Sequence, residues 1–410
     1  MRIAMLTNNY KPYMGGVPVS IEHLAQALRA QGHEVYIFAP TYKNQVDEEY
    51  VIRYPSFPFS IAKAPIPNVF SSIFEEKIIG LGIDVIHVHH PALVGNAALR
   101  MKKKYGIPVV FTYHTRVEAY LHYVKPIEWL EHATGIIKRY MRWFCNQCDM
   151  IAAPTDGIRD YLVNHGVKTP IEVLPTGVKE ESFYPKTEQV QEIRRRYKGE
   201  ANYLLCSVSR LAKEKNIDFQ LEGLKLLKEK LKGEGKSFRY LLIGDGPEQG
   251  HLKKKIKEMD LENEVILTGR VENEYIASYQ KACDAFLFSS KSETQGIVIL
   301  EAMAAGNPVI AVDASGVKDI VENGVNGYLT KEEPLEWANQ IATVLLDELH
   351  QTQLSYGAYI TATKYSENQI AKKAAEAYNK TVCYRHFQVE ERVWQFERVW
   401  MRGKAYLWNH

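Results

Sequence analysis

The chain has 410 residues, of which 46% are apolar and 24% charged, with a formal net charge of +2. These values describe a soluble globular protein and exclude a disordered, fibrous or strongly basic nucleic-acid-binding one, and the length suits two domains with a core each. Five cysteines, Cys145, Cys148, Cys206, Cys283 and Cys383, are too few and too odd a number for a disulfide framework, and no apolar run approaches the roughly 20 residues that span a bilayer. The N-terminal "MRIAMLTNNY" opens directly as a strand without signal-peptide character, so the expected location is the cytoplasm.

In chain order, short β-rich runs alternate with helical patterns, as in parallel sheets covered by helices. "RIAMLTNN", "HEVYIFAP", "DVIHVHH", "PVVFTYH", "MIAAPT" and "IEVLPTG" read as strands of a first set. A helix follows the first of them: Pro18 suits its N-terminal turn, Val17, Ile21, Leu24, Ala25 and Leu28 share a face, and Gly32 ends it. The charged stretch around "KEESFYPKTEQVQEIRRRYKGEANY" marks a boundary region, after which "YLLCSVSRL", "FRYLLIGDG", "EVILTGRV", "AFLFSS" and "PVIAVD" form a second set. The expected fold class is α/β, with Rossmann-like domains at 1–180 and 181–380 facing across a cleft. A helical extension at 381–410 is expected to pack back on the first domain. Ligands of such sheets bind beyond the carboxyl ends of the strands.

Chemistry-bearing residues gather at those ends. After "AFLFSS", the loop "KSETQ" carries Glu293, and a helix starting near Gly296 carries Glu301 about 8 Å further along its axis. The unpaired N–H groups of that helix start suit a phosphate, and carboxylates accept hydrogen bonds from sugar or ribose hydroxyls. In "SRLAKEKN", Arg210 and Lys215 follow another strand and match the charges of a diphosphate. Gly15 and Gly16 stand between the first strand and first helix, where backbone can approach a ligand closely, although the dinucleotide fingerprint is absent. His114 ends "PVVFTYH". The single C-x-x-C, "CNQC", reads as ordinary thiols, since no second pair completes a zinc site.

The order "GGV", "YHT", "SRLAKEKN", "GDGP" and "ETQGIVILE" resembles the retaining nucleotide-sugar glycosyltransferases of the GT-B fold, in the group known as family 4. The likeness runs from Met1 to about Tyr378. It implies that Glu293 binds hydroxyls of the donor sugar and Glu301 the ribose, and that Arg210 and Lys215 hold the diphosphate. Backbone at Thr294, Gln295, Gly296, Gly15 and Gly16 would complete the phosphate site. Gly269, Arg270 and Val271 would meet the base, and His114 the anomeric region of the transferred sugar. His114, Arg210, Lys215 and Glu293 are then the expected catalytic residues, with no metal and no cofactor beyond the nucleotide sugar as co-substrate.

"FTYHTRVEAYLHYVKP", "PTDGIRDYLVNHGVKTPIEVLPTGV" and "SETQG" are similar to the corresponding segments of bacterial diacylglycerol glucosyltransferases, implying UDP-glucose as donor and a membrane lipid as acceptor. "IEWLEHATGIIKRYMRWFCNQCD" mixes Lys138, Arg139 and Arg142 with Trp129, Ile136, Ile137, Trp143 and Phe144, as an interfacial helix would, and "RMKKKYG" adds basic charge. An anionic membrane surface on the cytoplasmic side is the partner this implies; a core helix with solvated lysines is the other reading. A soluble or polysaccharide acceptor, a nucleotide-sugar epimerase on the same architecture, and a non-catalytic nucleotide-sugar-binding subunit are the alternatives. The tail after Tyr384, with Val393, Trp394, Phe396, Val399 and Trp400, departs from the family pattern.

Overall fold

The computed structural model describes residues 1–13, 15–61, 64–114, 135–291, 293–385 and 387. The chain forms two compact units. The first comprises Met1–Pro154, Arg159–Leu174 and the described residues from Ala371 onward; the second comprises Thr155–Ile158 and Pro175–Ile370.

The first unit contains β1 (Arg2–Leu6), β2 (Glu34–Pro40), β3 (Val51–Tyr54), β4 (Ser56–Ile61), β5 (Ala64–Pro67), β6 (Val85–Val88), β7 (Val109–Thr112), β8 (Met150–Ala153) and β9 (Ile171–Val173). Seven of these make one parallel sheet in the order β3-β2-β1-β6-β7-β8-β9, while β4 and β5 pair antiparallel apart from it. The six strands read from the sequence are all present. The additions are β3, four residues long with only Tyr54 fully buried, and the proline-containing pair β4 and β5, whose composition disfavours a strand assignment. The helix Gly16–Ala30 presents Ile21, Ala25 and Leu28 to a core shared with Ile3, Met5, Val35 and Val85.

In the second unit, β10 (Tyr203–Val208), β11 (Phe238–Ile243), β12 (Val265–Gly269), β13 (Ala285–Phe288), β14 (Val309–Val312) and β15 (Gly327–Thr330) form a parallel sheet ordered β12-β11-β10-β13-β14-β15. Period-two alternation divides its side chains between two cores. Leu204, Cys206, Leu241, Ile243, Phe286 and Phe288 meet the helix Ile297–Ala304 on one face, and Leu205, Tyr240, Leu242 and Leu287 meet the helices Ile217–Gly233 and Pro334–Leu346 on the other. Burial on both faces explains why these strands read as continuous apolar runs. The edge strand β15 escapes that reading because Gly327 opens it: a Cβ there would lie 2.0 Å from the Val309 carbonyl oxygen, so close pairing demands glycine.

After the short excursion at Thr155–Ile158 the chain passes to the second unit at Leu174, ahead of the expected boundary at 180, because Val178 is fully buried in the second core and exchanges backbone bonds with Tyr365 and Glu367. It rejoins the first unit at Ala371, ahead of 381, where Ala371, Ala374, Ala375 and Tyr378 complete that unit's core. The tail residues singled out after Tyr384 lie outside the described residues, as does Trp129.

Each sheet has one point where chain order reverses: β1 beside β6, and β10 beside β13. The crevice outside the carboxyl ends of such strands is where open α/β sheets bind ligands.

Candidate active site

At the second unit's switch point, the loop after β10 is clamped by the "GDGP" turn. Ser209 N–H donates to the Ile243 carbonyl at 3.0 Å, Leu211 N–H to Asp245 at 2.8 Å, and Glu248 N–H returns to Leu211 at 3.0 Å. A Cβ on Gly244 would sit 2.0 Å from the Ser209 oxygen and one on Gly246 2.3 Å from the Leu211 oxygen, so both must be glycine. The clamp leaves Arg210 exposed: its carbonyl accepts from Ala212 N–H at 2.9 Å, while its side chain makes no hydrogen bond or ion pair among the described residues.

Lys215 closes the single turn Lys213–Lys215, and Asn216 (φ 55°) turns the chain into the helix Ile217–Gly233. Buried polar groups tie this turn to the loop after β13. The Ser289 hydroxyl donates to the Lys215 carbonyl at 2.7 Å, Gln220 Nε2 donates to Ser289 Oγ at 2.8 Å, and the Tyr240 hydroxyl donates to Gln220 Oε1. Across the two loops, Lys215 Nζ lies 2.5 Å from Glu293 Oε1, with only about a fifth of either side chain exposed.

The backbone beyond Glu293 is held from behind. Gly316 (φ +78°) packs so closely that a Cβ would lie 2.6 Å from the Glu293 carbonyl oxygen and 2.8 Å from the Thr294 carbonyl carbon. Gln295 is buried and spends its amide on Thr176, accepting from its N–H at 2.7 Å and donating to its carbonyl at 2.9 Å. Its side chain is therefore structural, and only its backbone is offered to a ligand. Gly296 (φ +68°) caps the helix Ile297–Ala304 and accepts from Ile299 N–H at 2.9 Å, so the N–H groups of Ile297 and Val298 are the ones at the helix start without a carbonyl one turn back. Glu301, in the second turn, makes no side-chain hydrogen bond among the described residues, and loss of water around its carboxyl raises its pKa to about 7 against the opposing field of Lys179.

Gly269 (φ +73°) ends β12 and accepts from Gly244 N–H at 3.0 Å, which brings it beside the clamp; Arg270 next to it is exposed, and Val271 packs partly buried on the core. Arg210, Lys215, Glu293, Thr294, Gly296, Glu301 and Gly269 thus all stand at the carboxyl ends of adjacent strands in one unit. Gly316, Gln220 and Thr176 were not singled out from the sequence. Their roles depend on neighbours distant along the chain, and only the "ASGV" turn around Gly316 offered a local signal.

In the first unit, Gly15 is extended (φ 178°), a conformation open to any residue, and a Cβ on Gly16 would meet nothing within 4 Å. Neither glycine is demanded by backbone conformation. Asn8, in the same loop, donates its N–H to His90 Nδ1 at 3.2 Å. His114 follows β7, its Nε2 2.8 Å from His89 Nδ1; burial, then the neighbouring His90 and His87, lowers its pKa to about 3.

Cys145 and Cys148 are buried free thiols, and burial pushes Cys145 up to about 12, so neither is a reactive thiolate. Among the described residues no group of three or more His, Cys, Asp or Glu side chains could hold a metal ion, and no helix is long and apolar enough to cross a membrane. The helix Ile136–Gln147 buries Met141, Phe144 and Cys145 while leaving Ile136 and Trp143 about half exposed among the exposed Lys138, Arg139 and Arg142. It is anchored to the helix Val94–Tyr105 by Lys102 Nζ, which donates to the Gln147 carbonyl at 2.6 Å, and by Asn96, which donates to the Tyr140 hydroxyl at 3.2 Å.

Residues 14–182 match the family described as Glycosyltransferase Family 4, and residues 189–361 match Glycosyl transferases group 1. The alpha-monoglucosyldiacylglycerol synthase of Streptococcus pneumoniae is 31% identical over 399 residues, covering 95% of this chain and 88% of the relative. The protein of the same name from Acholeplasma laidlawii is 30% identical over 392 residues, covering 92% and 96%. Among solved structures, Anabaena HepE in complex with UDP and glucose superposes with a TM-score of 0.72 at 20% identity, covering 93% of this chain and all of that one. The two Rossmann-like parallel sheets with their helices are the GT-B fold.

Proposed function

The chain belongs to glycosyltransferase family 4, and we propose that it transfers a hexose, glucose in the first instance, from a UDP-sugar to a membrane lipid of the diacylglycerol class with retention of configuration. The observation that carries the donor half is the convergence at the β10/β13 switch point. An unpaired Arg210, the Lys215–Glu293 pair, the N-terminus of the helix Ile297–Ala304 and the unpartnered carboxyl of Glu301 stand together in one unit.

In this reading Arg210, Lys215 and the helix N–H groups take the diphosphate, Glu301 the ribose, Glu293 the sugar hydroxyls, and the end of β12 the base. The lipid hydroxyl oxygen bonds to the anomeric carbon on the face that the diphosphate leaves. The bond from that carbon to the phosphate oxygen breaks, and the hydroxyl proton passes to the departing diphosphate. Arg210 and Lys215 stabilise the charge that develops there. Glu293 then acts by holding the sugar rather than as a general acid, with its carboxylate oriented by the ion pair with Lys215. His114 is assigned to the transferred sugar, as the family resemblance implies.

The acceptor half rests on the two relatives named above and on the exposed Trp143, Ile136 and basic residues of the helix Ile136–Gln147, which suit an anionic membrane surface on the cytoplasmic side. The test is a matrix of UDP-hexoses against diacylglycerol presented in anionic vesicles, reading product mass and anomeric configuration. An α-linked glucosyl lipid is expected. Transfer only to soluble acceptors removes the lipid assignment, and an altered UDP-sugar without glycosylated product replaces transfer by isomerisation.

A further inference from the structure

Four histidines crowd the carboxyl ends of β6 and β7 in the first unit, and only His114 was assigned a role above. His87 and His89 are two residues apart at the end of β6 and so face the same way, their ring centroids 4.2 Å apart. Both nitrogens of His87 are occupied by hydroxyls: Nε2 lies 2.6 Å from Thr112 Oγ1 and Nδ1 2.7 Å from the Tyr378 hydroxyl. His87 is therefore a structural, neutral ring. His89 differs. It is 3% exposed, its backbone N–H is fixed on the Leu6 carbonyl at 3.0 Å, and its ring stacks on His114 with centroids 5.1 Å apart. Its Nδ1 is 2.8 Å from His114 Nε2, while its Nε2 is buried without a partner among the described residues.

That orphan nitrogen decides the direction of the bond. Buried N–H groups without an acceptor are rarer and costlier than bare acceptors. His89 Nε2 is therefore the unprotonated nitrogen, Nδ1 carries the hydrogen, and it donates to His114 Nε2. His114 must then carry its own hydrogen on Nδ1. Protonating His114 would require His89 to reverse its tautomer and leave an orphaned N–H in the core, so the contact also keeps His114 neutral.

We propose that His89 is a positioning residue for sugar transfer: its Nδ1–H fixes the ring orientation and the Nδ1–H tautomer of His114, so that His114 presents a neutral hydrogen-bond donor. The inference rests on His114 serving the transfer reaction. Its first test needs no substrate: imidazole nitrogen NMR of the full chain, with the His114 signals assigned by His114→Ala, is expected to show His114 as the Nδ1–H tautomer. Finding the Nε2–H tautomer overturns the inference.

Kinetics supply the second test. His89→Phe keeps ring volume and removes the donor, and is expected to lower kcat about 10- to 100-fold with the KM for UDP-sugar unchanged. His89→Asn, whose amide N–H can take the place of Nδ1–H, is expected to restore most of that loss and the native tautomer of His114. If His114→Ala is crippled while His89→Phe turns over normally, the positioning role is wrong and the role of His114 stands. If His114→Ala itself turns over normally, the reading of His114 fails, and the positioning role with it, whatever the NMR shows.

Discussion

Lys215 Nζ and Glu293 Oε1 are 2.5 Å apart, a charged contact that joins the turn after β10 to the loop after β13 at the second unit's switch point. A partly buried ion pair of this kind orients both groups. Removing one partner leaves the other desolvated and uncompensated.

Glu293→Ala is accordingly expected to reduce kcat by at least about 100-fold while UDP still binds within a fewfold of its normal affinity, because the diphosphate contacts come from other groups. Turnover measured alongside UDP titration calorimetry checks both parts.

The Arg210 side chain makes no hydrogen bond or ion pair among the described residues, so Arg210→Ala should leave the melting temperature unchanged. It should weaken UDP binding by about 10- to 100-fold, the range of charge-assisted hydrogen bonds to a buried or partly buried anion, and lower kcat as well. Lys at this position should recover only part, since an ammonium cannot make the forked contact.

Glu301 couples binding to stability. Its pKa is raised from 4.5 to about 7 in the folded chain, so the native state holds the proton more tightly than the unfolded state. Below about pH 4.5 the carboxyl is protonated in both states and costs nothing. As pH rises the folded state alone is penalised, and the penalty levels off above about pH 7 at up to about 3 kcal/mol. Glu301→Gln is expected to be more stable than the native protein at pH 8 and equal to it near pH 4, by denaturant titration, while binding UDP-sugar more weakly at both.

Gly316 and Gly324 separate backbone strain from steric support. Both have positive φ, +78° and +74°, so alanine at either costs about 1 kcal/mol in backbone conformation. Only at Gly316 would the new Cβ strike the backbone of Glu293 and Thr294; at Gly324 the nearest atom is the Tyr328 hydroxyl at 3.8 Å. Gly316→Ala should therefore lose most activity and Gly324→Ala little, despite comparable backbone costs.

On the helix Ile136–Gln147, neighbouring aromatics should behave oppositely. Trp143→Ala combined with Arg139→Glu and Arg142→Glu is expected to lower co-sedimentation with anionic vesicles by at least about tenfold without affecting stability, since each basic residue near such a surface contributes about 1 kcal/mol. Phe144→Ala, at a fully buried position, should cost about 3 to 5 kcal/mol of stability instead.

Most of the strand framework and the strand-end positions of the candidate site residues were legible in order along the chain. Parallel strands buried on both faces produce continuous apolar runs, and residues immediately after such runs necessarily stand at carboxyl ends, where Arg210, Lys215, Glu293 and His114 are found. The edge strand β15 and the pair β4 and β5 were not legible, because glycine and proline obscure the pattern. The exchange points of the chain between units were displaced for a similar reason: Val178 and Ala371 look unremarkable locally, and only the cores they enter assign them.

What the sequence determined by itself is the repertoire of charged and small residues and the strand ends that carry them, since both follow from local periodicity. What only the tertiary structure decided is how those residues are used. Lys215 pairs with Glu293, Gln295 is consumed by Thr176, Glu301 is left without a side-chain partner among the described residues, and His89 is brought against His114. The contacts among these depend on distances of a few ångströms between segments separated by some 25 to 119 positions, which neither composition nor spacing reveals, and burial sets the charge of Glu301 and the two histidines.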